Sequence, residues 1–181
     1  MKEIKNALQY AKDAHGSQLR AVGPDTGLPY FDTHVVRVTD AVIHWAKAAA
    51  ALHDVVEDTD KTIYDLINTE WFTPETLVAV DLLTHRAHES YDDYISRILS
   101  GDRWDLDDLL VHYAKDYALD NYGRKHKVDF LGVMSDGRKI ARRVKIADIM
   151  DNLITLPEGP LRRRYLGGLH ALTKKYKLNI E

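Results

Sequence analysis

The segment from residue 53 to residue 59 concentrates ionisable side chains after an alanine-rich stretch, and it reads His-Asp-Val-Val-Glu-Asp-Thr. Residues four apart share one face of a helix, so this spacing would pair His53 with Glu57 and Asp54 with Asp58. Burying these groups together would be costly unless a cation compensated their charge. Manganese, iron and zinc all accept imidazole nitrogen and carboxylate oxygen as ligands. The segment therefore suggests one part of a divalent-metal site.

Two further positions could complete the coordination of such a metal. His34 lies at the predicted start of the preceding helix, and Asp148 interrupts the otherwise core-facing pattern Val-Lys-Ile-Ala-Asp. Asn152 follows Asp148 by one helical turn on the same face. The pattern alone leaves two interpretations open, because single histidines and aspartates on helices are commonly solvated or capping residues. A basic run that ends at Lys145 is equally ambiguous, since it could contact a phosphate or form a solvated helix face.

The elements that must position these residues are predicted to be helices. Apolar residues recur at helical spacing over most of the chain, and convincing period-two strands are scarce. Thr73 and Pro74 form a clear start signal, with threonine as the N-cap and proline at the first helical position. The predicted fold class is therefore all-α. Helices are expected near residues 4–15, 34–44, 47–57, 63–67, 74–83, 91–99, 138–156 and 161–176.

The character of the chain changes between residues 100 and 137, a segment predicted to be an insertion in a single domain of residues 1–181. Acidic residues come first, followed by a tyrosine-rich stretch and a short basic run. One amphipathic helix is expected over residues 105–121 and a short strand over residues 127–134. The insertion either borders the mouth of the site or packs as an added helix, and the sequence leaves both roles open.

Composition excludes several classes of protein. The formal net charge of −3 is close to balanced, so no broad nucleic-acid-binding surface is expected. The absence of cysteine excludes disulfides, thiolate zinc sites and cysteine nucleophiles. The N-terminal segment lacks the apolar core of a signal peptide, and no apolar run approaches the roughly 20 residues of a membrane span. A cytoplasmic protein without a membrane partner is therefore expected.

Several short motifs resemble those of the HD-domain phosphohydrolases, specifically their RelA/SpoT-type alarmone hydrolase branch. The motifs are Ala-His-Gly-Ser-Gln-Leu-Arg ending at Arg20, Pro-Tyr followed by His34, the run up to Thr59, and the run ending at Asp148 with Asn152 and Thr155 beyond it. They occur in the family's order and span residues 7–156 apart from the insertion. The resemblance implies an HD-domain helical bundle as the fold.

The resemblance also implies a role for each matching position. In this family the first histidine, the His-Asp pair and the late aspartate bind one divalent metal, typically Mn²⁺, with Zn²⁺, Fe²⁺ or Co²⁺ as alternatives. The implied metal ligands are His34, His53, Asp54 and Asp148. The implied catalytic residues beside the attacking water are Glu57 and Asp58. The implied substrate-binding residues are Arg20, Asn152 and Thr155.

The implied activity is removal of the 3′-pyrophosphate of guanosine alarmones (ppGpp and pppGpp), which are small-molecule nucleotides, by a metal-activated water. Two departures bear on the substrate: Ala21 follows Arg20 where small alarmone hydrolases carry a basic residue, and Val35 follows His34 where proline is usual. One alternative is an HD-type phosphohydrolase that acts on another nucleotide, such as a deoxynucleoside triphosphate or a nicotinamide dinucleotide phosphate. The other is a non-catalytic nucleotide-binding regulator. A homo-oligomer is compatible with each reading.

Overall fold

The computed structural model describes residues 1–100 and 130–174, and every regular element in these two ranges is helical. The α-helices are α1 (Lys2–His15), α2 (Val36–Ala41), α3 (Lys47–Leu52), α4 (Val55–Asp58), α5 (Ile63–Asn68), α6 (Pro74–Leu83), α7 (Tyr91–Ser100), α8 (Phe130–Thr155) and α9 (Pro160–Lys174). A π-helical turn (Phe31–Val35) leads into α2, and a 3₁₀ turn (His44–Ala46) leads into α3. The predicted all-α fold class is confirmed. None of the described helices is long and apolar enough to cross a membrane.

Helix α8 is the central element of the bundle, because it packs against α2, α3, α6, α7 and α9. Its approach to α6 is close, since a Cβ atom at Gly137 would lie 2.4 Å from Val78 Cγ1. Helix α3 is buried from Ala48 through Leu52, as expected of a helix that is apolar on every side. Small alanine side chains let the neighbouring helices pack tightly around it. Helices α3 and α8 thereby bring two parts of the predicted site together.

Side-chain hydrogen bonds fix the starts of two predicted helices. Thr73 Oγ1 accepts from the Thr76 N–H at the start of α6. Glu3 joins α1 to the same point, because its carboxylate accepts from the Thr73 N–H and the Thr76 hydroxyl, each at 2.9 Å. Thr62 and Asp65 form a capping box at the start of α5. The predicted helices at these two positions are confirmed.

The predicted continuous helix over residues 47–57 is wrong, because the chain bends between α3 and α4. His53 Nδ1–H donates to the Ala50 carbonyl at 2.8 Å, and in a regular helix that carbonyl would accept from the Asp54 N–H. Asp54 has φ −102° and ψ −2°, away from the helical average. The His53 side chain thus enters the hydrogen-bond ladder and bends the helix. The pairing of His53 with Glu57 along one straight helix therefore does not apply.

Other boundaries also differ from the prediction. Helix α8 begins at Phe130 rather than near residue 138, so the last part of the predicted insertion, residues 130–137, is helical and continuous with this helix. The strand predicted over residues 127–134 is therefore wrong for residues 130–134. The helix predicted from His34 begins as the π turn at Phe31, and α2 ends at Ala41. The helix predicted over residues 105–121, and the rest of the insertion up to residue 129, lie outside the described residues.

Candidate metal centre

The four side chains predicted to bind a metal meet between the π turn, the bend after α3, and α8. His34 Nε2 lies 3.3 Å from Asp54 Oδ2 and 3.3 Å from Asp148 Oδ1. His53 Nε2 lies 2.9 Å from Asp54 Oδ2 and 3.8 Å from Asp148 Oδ1. The two histidine Nε2 atoms are 3.3 Å apart. Ligand atoms of His34, His53 and Asp148 all lie within 4.8 Å of one another, so this group could hold a metal ion.

This cluster (His34, His53, Asp54 and Asp148) is buried except on one side. His34 is 1 %, His53 2 % and Asp148 4 % exposed. The side chain of Asp54 is 17 % exposed. Solvent and a ligand would therefore approach the cluster from the side of Asp54.

The second ring nitrogen of each histidine already has an acceptor. His34 Nδ1–H donates to Asp151 Oδ2 at 2.7 Å, and His53 Nδ1–H donates to the Ala50 carbonyl at 2.8 Å. Because these acceptors have no proton to give, each ring carries a proton on Nδ1, and Nε2 is the nitrogen that could bind a cation in place of its own proton. Histidines that bind metals usually have this arrangement.

Histidines and carboxylates in the cluster strongly alter each other's pKa. Burial lowers the pKa of His34, but hydrogen bonds to Asp148, Asp151 and Asp54 outweigh burial and raise the pKa to about 11. Burial also lowers the pKa of His53, and the charges of Asp54 and Asp148 raise it to about 9. Burial raises the pKa of Asp54, yet the two histidines hold it well below its usual range. The site thus favours positive charge between its imidazoles and carboxylates, and a divalent cation fits that requirement.

Each carboxylate of the cluster has a polar neighbour that fixes its orientation. The Tyr30 hydroxyl donates to Asp54 Oδ2 at 2.5 Å. Lys145 Nζ donates to Asp148 Oδ2 at 2.8 Å, and Asn152 Nδ2 donates to Asp148 Oδ1 at 2.6 Å. The ligand oxygens are therefore oriented by the protein itself.

Asp151 also belongs to the candidate site, although it is not among the residues predicted from the sequence. It follows Asp148 by three residues on α8, and residues at this spacing are neighbours on a helix surface. Burial raises the pKa of Asp151, but hydrogen bonds from His34 and Arg37 lower it below its usual value. Asp151 is thus ionised at neutral pH and can accept the His34 Nδ1–H. The helical spacing from Asp148 was the signal that could have found it.

Glu57 and Asp58, the predicted catalytic pair, lie on α4 at the solvent-exposed edge of the cluster. Glu57 Oε2 accepts from the His85 N–H at 2.9 Å, which restricts the position of this carboxylate. Partial desolvation raises the pKa of both carboxyl groups, and the nearby charge of Asp54 raises it further. A raised pKa suits a group that must accept a proton near neutral pH. The catalytic role of the pair stays a prediction.

The three predicted nucleotide contacts also meet, on the side of the cluster next to the loop after α1. Arg20 Nη2 donates to Asn152 Oδ1 at 3.2 Å and to Thr155 Oγ1 at 3.4 Å. Arg20 and Thr155 are each 6 % exposed. A Cβ atom at Gly23 would lie 2.6 Å from Thr155 Cβ, so the loop covers this threonine closely. These residues hold the loop on α8, and their contact with a nucleotide stays a prediction.

Members of the basic run before Asp148 have different surroundings. Lys145 contacts the cluster through Asp148. Arg142 donates to the Leu172 carbonyl on α9, and Lys139 pairs with Asp136 at 2.8 Å on the surface. A phosphate contact at the site is therefore a prediction for Lys145 rather than for the whole run.

An open cleft of about 830 Å³ begins where Glu57 and Lys145 border the cluster. Helices α7 and α9 form its other wall, where the rings of Tyr91 and Tyr165 stack with centroids 5.7 Å apart. Two exposed arginines, Arg163 and Arg164, also line the α9 side. Glu89 and Asp92 line the cleft as well, and Glu89 is paired with Arg97. The cleft therefore offers aromatic, cationic and acidic side chains beside the buried cluster.

A comparison with solved structures agrees with this fold. No protein-family model matches the chain. The structure of a metazoan ortholog of SpoT, which hydrolyzes ppGpp and plays a role in starvation responses, aligns with a TM-score of 0.54 and 21 % sequence identity. The alignment covers 98 % of this chain and 87 % of that chain. The chain shares the all-α fold of that protein, which confirms the fold expected from the HD-domain resemblance.

Proposed function

We propose that this chain is a metal-dependent phosphohydrolase that removes the 3′-pyrophosphate of guanosine alarmones such as ppGpp. The observation that carries the proposal is the histidine pair, whose Nδ1 atoms are engaged and whose Nε2 atoms converge on the carboxylates of Asp54 and Asp148. One divalent cation would be held by His34, His53, Asp54 and Asp148. Mixed nitrogen and oxygen ligands favour Mn²⁺ and similar transition metals over Mg²⁺ or Ca²⁺. The shared fold with a ppGpp-hydrolysing protein supports the choice of substrate.

When bound, a divalent cation would neutralise phosphate oxygens and lower the pKa of a bound water. Proton transfer falls to the side chains of the chain itself. Glu57 and Asp58 lie beside the ligands, and their raised pKa values suit a general base. In the proposed reaction, one of these carboxylates orients the attacking water and accepts its proton.

Lys145 would contribute fixed positive charge at the entrance to the cleft. Charge that builds on a transferred phosphoryl group is stabilised by preorganised cations. The Lys145 ammonium group is held between Asp148, at 2.8 Å, and the ring of Tyr94, whose centroid is 4.9 Å away. Arg163 and Arg164 would then be available to the remaining phosphates of the nucleotide.

A nucleotide panel tests this proposal. Metal-free protein would be reloaded with Mn²⁺ and incubated with ppGpp, a deoxynucleoside triphosphate and a nicotinamide dinucleotide phosphate, and the released phosphate species would be identified. Release of pyrophosphate from ppGpp supports the proposal. Release of a phosphate species only from another nucleotide would support a different substrate. The presence of Ala21 after Arg20 favours that alternative. Tight metal binding with no turnover across the panel would contradict a hydrolase.

A further inference from the structure

We propose that Asp151 is a positioning residue for the metal centre, and that Arg37 holds the Asp151 carboxylate in the position needed for this role. The inference rests on the proposed metal-dependent function. It assigns to this chain a hydrogen-bonded path from a surface loop to a metal ligand, through Asp25, Arg37, Asp151 and His34.

The contact between Asp151 and His34 defines what Asp151 can do. Asp151 Oδ2 accepts from His34 Nδ1–H at 2.7 Å, whereas His34 Nε2 faces the cluster. The two nitrogens are separated by one ring carbon and point away from each other. Asp151 therefore acts on a cation through His34, by fixing which nitrogen carries the proton and how the ring is turned.

Arg37 restrains both oxygens of the Asp151 carboxylate. Its Nε donates to Asp151 Oδ1 at 2.8 Å and its Nη2 donates to Asp151 Oδ2 at 3.3 Å. Arg20 Nη2 adds a contact of 3.5 Å to Oδ2. The Asp151 side chain is 7 % exposed and that of Arg37 is 39 % exposed, so the carboxylate is the desolvated partner in these bonds. A planar guanidinium matches a carboxylate in a way that a lysine ammonium does not.

The third donor of Arg37 extends this path to the loop after α1. Arg37 Nη1 donates to Asp25 Oδ2 at 2.6 Å. The loop is placed against α8 by Gly23, whose φ of +89° and close approach to Thr155 would not tolerate a side chain. The loop is therefore connected to His34 by one continuous series of charged hydrogen bonds.

Loss of Asp151 should weaken metal binding through the orientation of His34. Removing the partner of a ligating histidine typically costs about 10- to 100-fold in metal affinity. We expect Asp151→Ala to fall in that range. Asp151→Asn should be intermediate, because its amide oxygen still accepts from Nδ1–H but carries no charge. Arg37→Gln should weaken binding by about three- to tenfold, since Asp151 keeps its bond to His34 but loses its main restraint.

The test is the affinity of the full chain for Mn²⁺ alone, measured by competition with a chelator of known affinity. Asp40→Ala is the matched control, because Asp40 also lies on α2, pairs with Lys47 at the surface and is 73 % exposed. Melting temperatures of the metal-free proteins would be measured in parallel. We expect the largest loss of Mn²⁺ affinity in Asp151→Ala, a smaller loss in Asp151→Asn and the smallest in Arg37→Gln. Asp40→Ala should bind Mn²⁺ like the parent.

Two outcomes separate this inference from the proposed function. A parent protein that binds Mn²⁺ but hydrolyses no nucleotide would contradict the function, while the affinity series would still test Asp151. Affinities within twofold of the parent for Asp151→Asn and Arg37→Gln would overturn the inference, even if ppGpp is hydrolysed. If Asp151→Ala does not fold, these two milder variants decide the matter. A lowered melting temperature with unchanged Mn²⁺ affinity would assign Asp151 a structural role only.

Discussion

The cluster of His34, His53, Asp54 and Asp148 and the cleft beside it differ in burial and in how their charges are balanced. In the cluster, His34 and His53 are 1 % and 2 % exposed, and each ring is oriented by a second hydrogen bond. In the cleft, Glu57, Arg163 and Arg164 are exposed to solvent. Buried charges must be closely paired, whereas exposed charges tolerate change. The cluster thus has closely paired, buried groups that could hold a cation, whereas the side chains of the cleft are open to solvent.

This difference predicts two kinds of response to perturbation. Changes in the cluster should abolish metal binding and turnover together. Changes in the cleft should alter rate or substrate affinity by graded amounts and leave the metal in place. An equal response in both regions would show that the distinction between them is wrong.

Removal of the metal should have the largest effect. Exhaustive chelation is expected to abolish turnover of ppGpp, and added Mn²⁺ should restore it. The melting temperature should also fall, because a cation at about a hundredfold excess over its Kd stabilises the folded state by about 2.7 kcal/mol. Calorimetry with and without chelator checks this expectation. Full turnover and an unchanged melting temperature after chelation would exclude a metal role for the cluster.

Glu57→Gln should lower turnover by about a hundredfold, the scale of losing a general base. The amide keeps the shape of the side chain but cannot accept a proton at neutral pH. Metal content should be that of the parent, since the four predicted ligands are unchanged. Asp58→Asn is the companion variant, because either acid is placed to take the proton. Near-parental kcat in both variants would refute the water-activating role.

Arg163→Ala and Arg164→Ala should each raise KM for ppGpp by about two- to fivefold, as expected for exposed charge contacts. The kcat should change little, because these arginines line the cleft away from the cluster. Lys139→Ala is the matched control, since Lys139 pairs with Asp136 on the surface and does not line this cleft. Steady-state kinetics distinguish the cases. If Arg163→Ala and Arg164→Ala have the same KM for ppGpp as Lys139→Ala and the parent, the α9 arginines do not contribute to substrate binding.

The smallest expected effect is a shift in the acidic limb of the pH profile. Partial desolvation raises the pKa of Glu57, so its ionised, proton-accepting form is lost as the pH falls through a value above the ordinary 4.5. Turnover should therefore begin to fall at a higher pH than an unperturbed glutamate would give. The same limb should be absent in Glu57→Gln. A limb that persists unchanged in that variant would assign the titration to another group.

Positions of the site residues followed from sequence because the relevant motifs are local. His53, Asp54, Glu57 and Asp58 are nearly contiguous, and Asp148 lies in a short recognisable run. The spatial meeting of these segments with His34 follows from the packing of α2 and α3 on α8. Roles for these residues still depend on the experiments described above.

Features that the sequence did not predict depend on tertiary contacts. The bend at His53 arises because its ring takes the Ala50 carbonyl, which helical periodicity does not reveal. Helix α8 continues through Gly137 because glycine permits close packing on Val78 of α6, although glycine disfavours helices in isolation. The spacing of Asp151 from Asp148 places it near the site, but only the fold brings its carboxylate to 2.7 Å from His34 Nδ1.

Calorimetric titration of Mn²⁺ into chelator-treated protein asks directly whether the cluster binds one divalent cation. We expect one bound Mn²⁺ per chain for the parent. We expect no detectable binding for Asp148→Ala, with the helical circular dichroism spectrum retained in both proteins. Parental stoichiometry and affinity in a folded Asp148→Ala protein, or no binding by the parent, would show that the cluster is not a cation site.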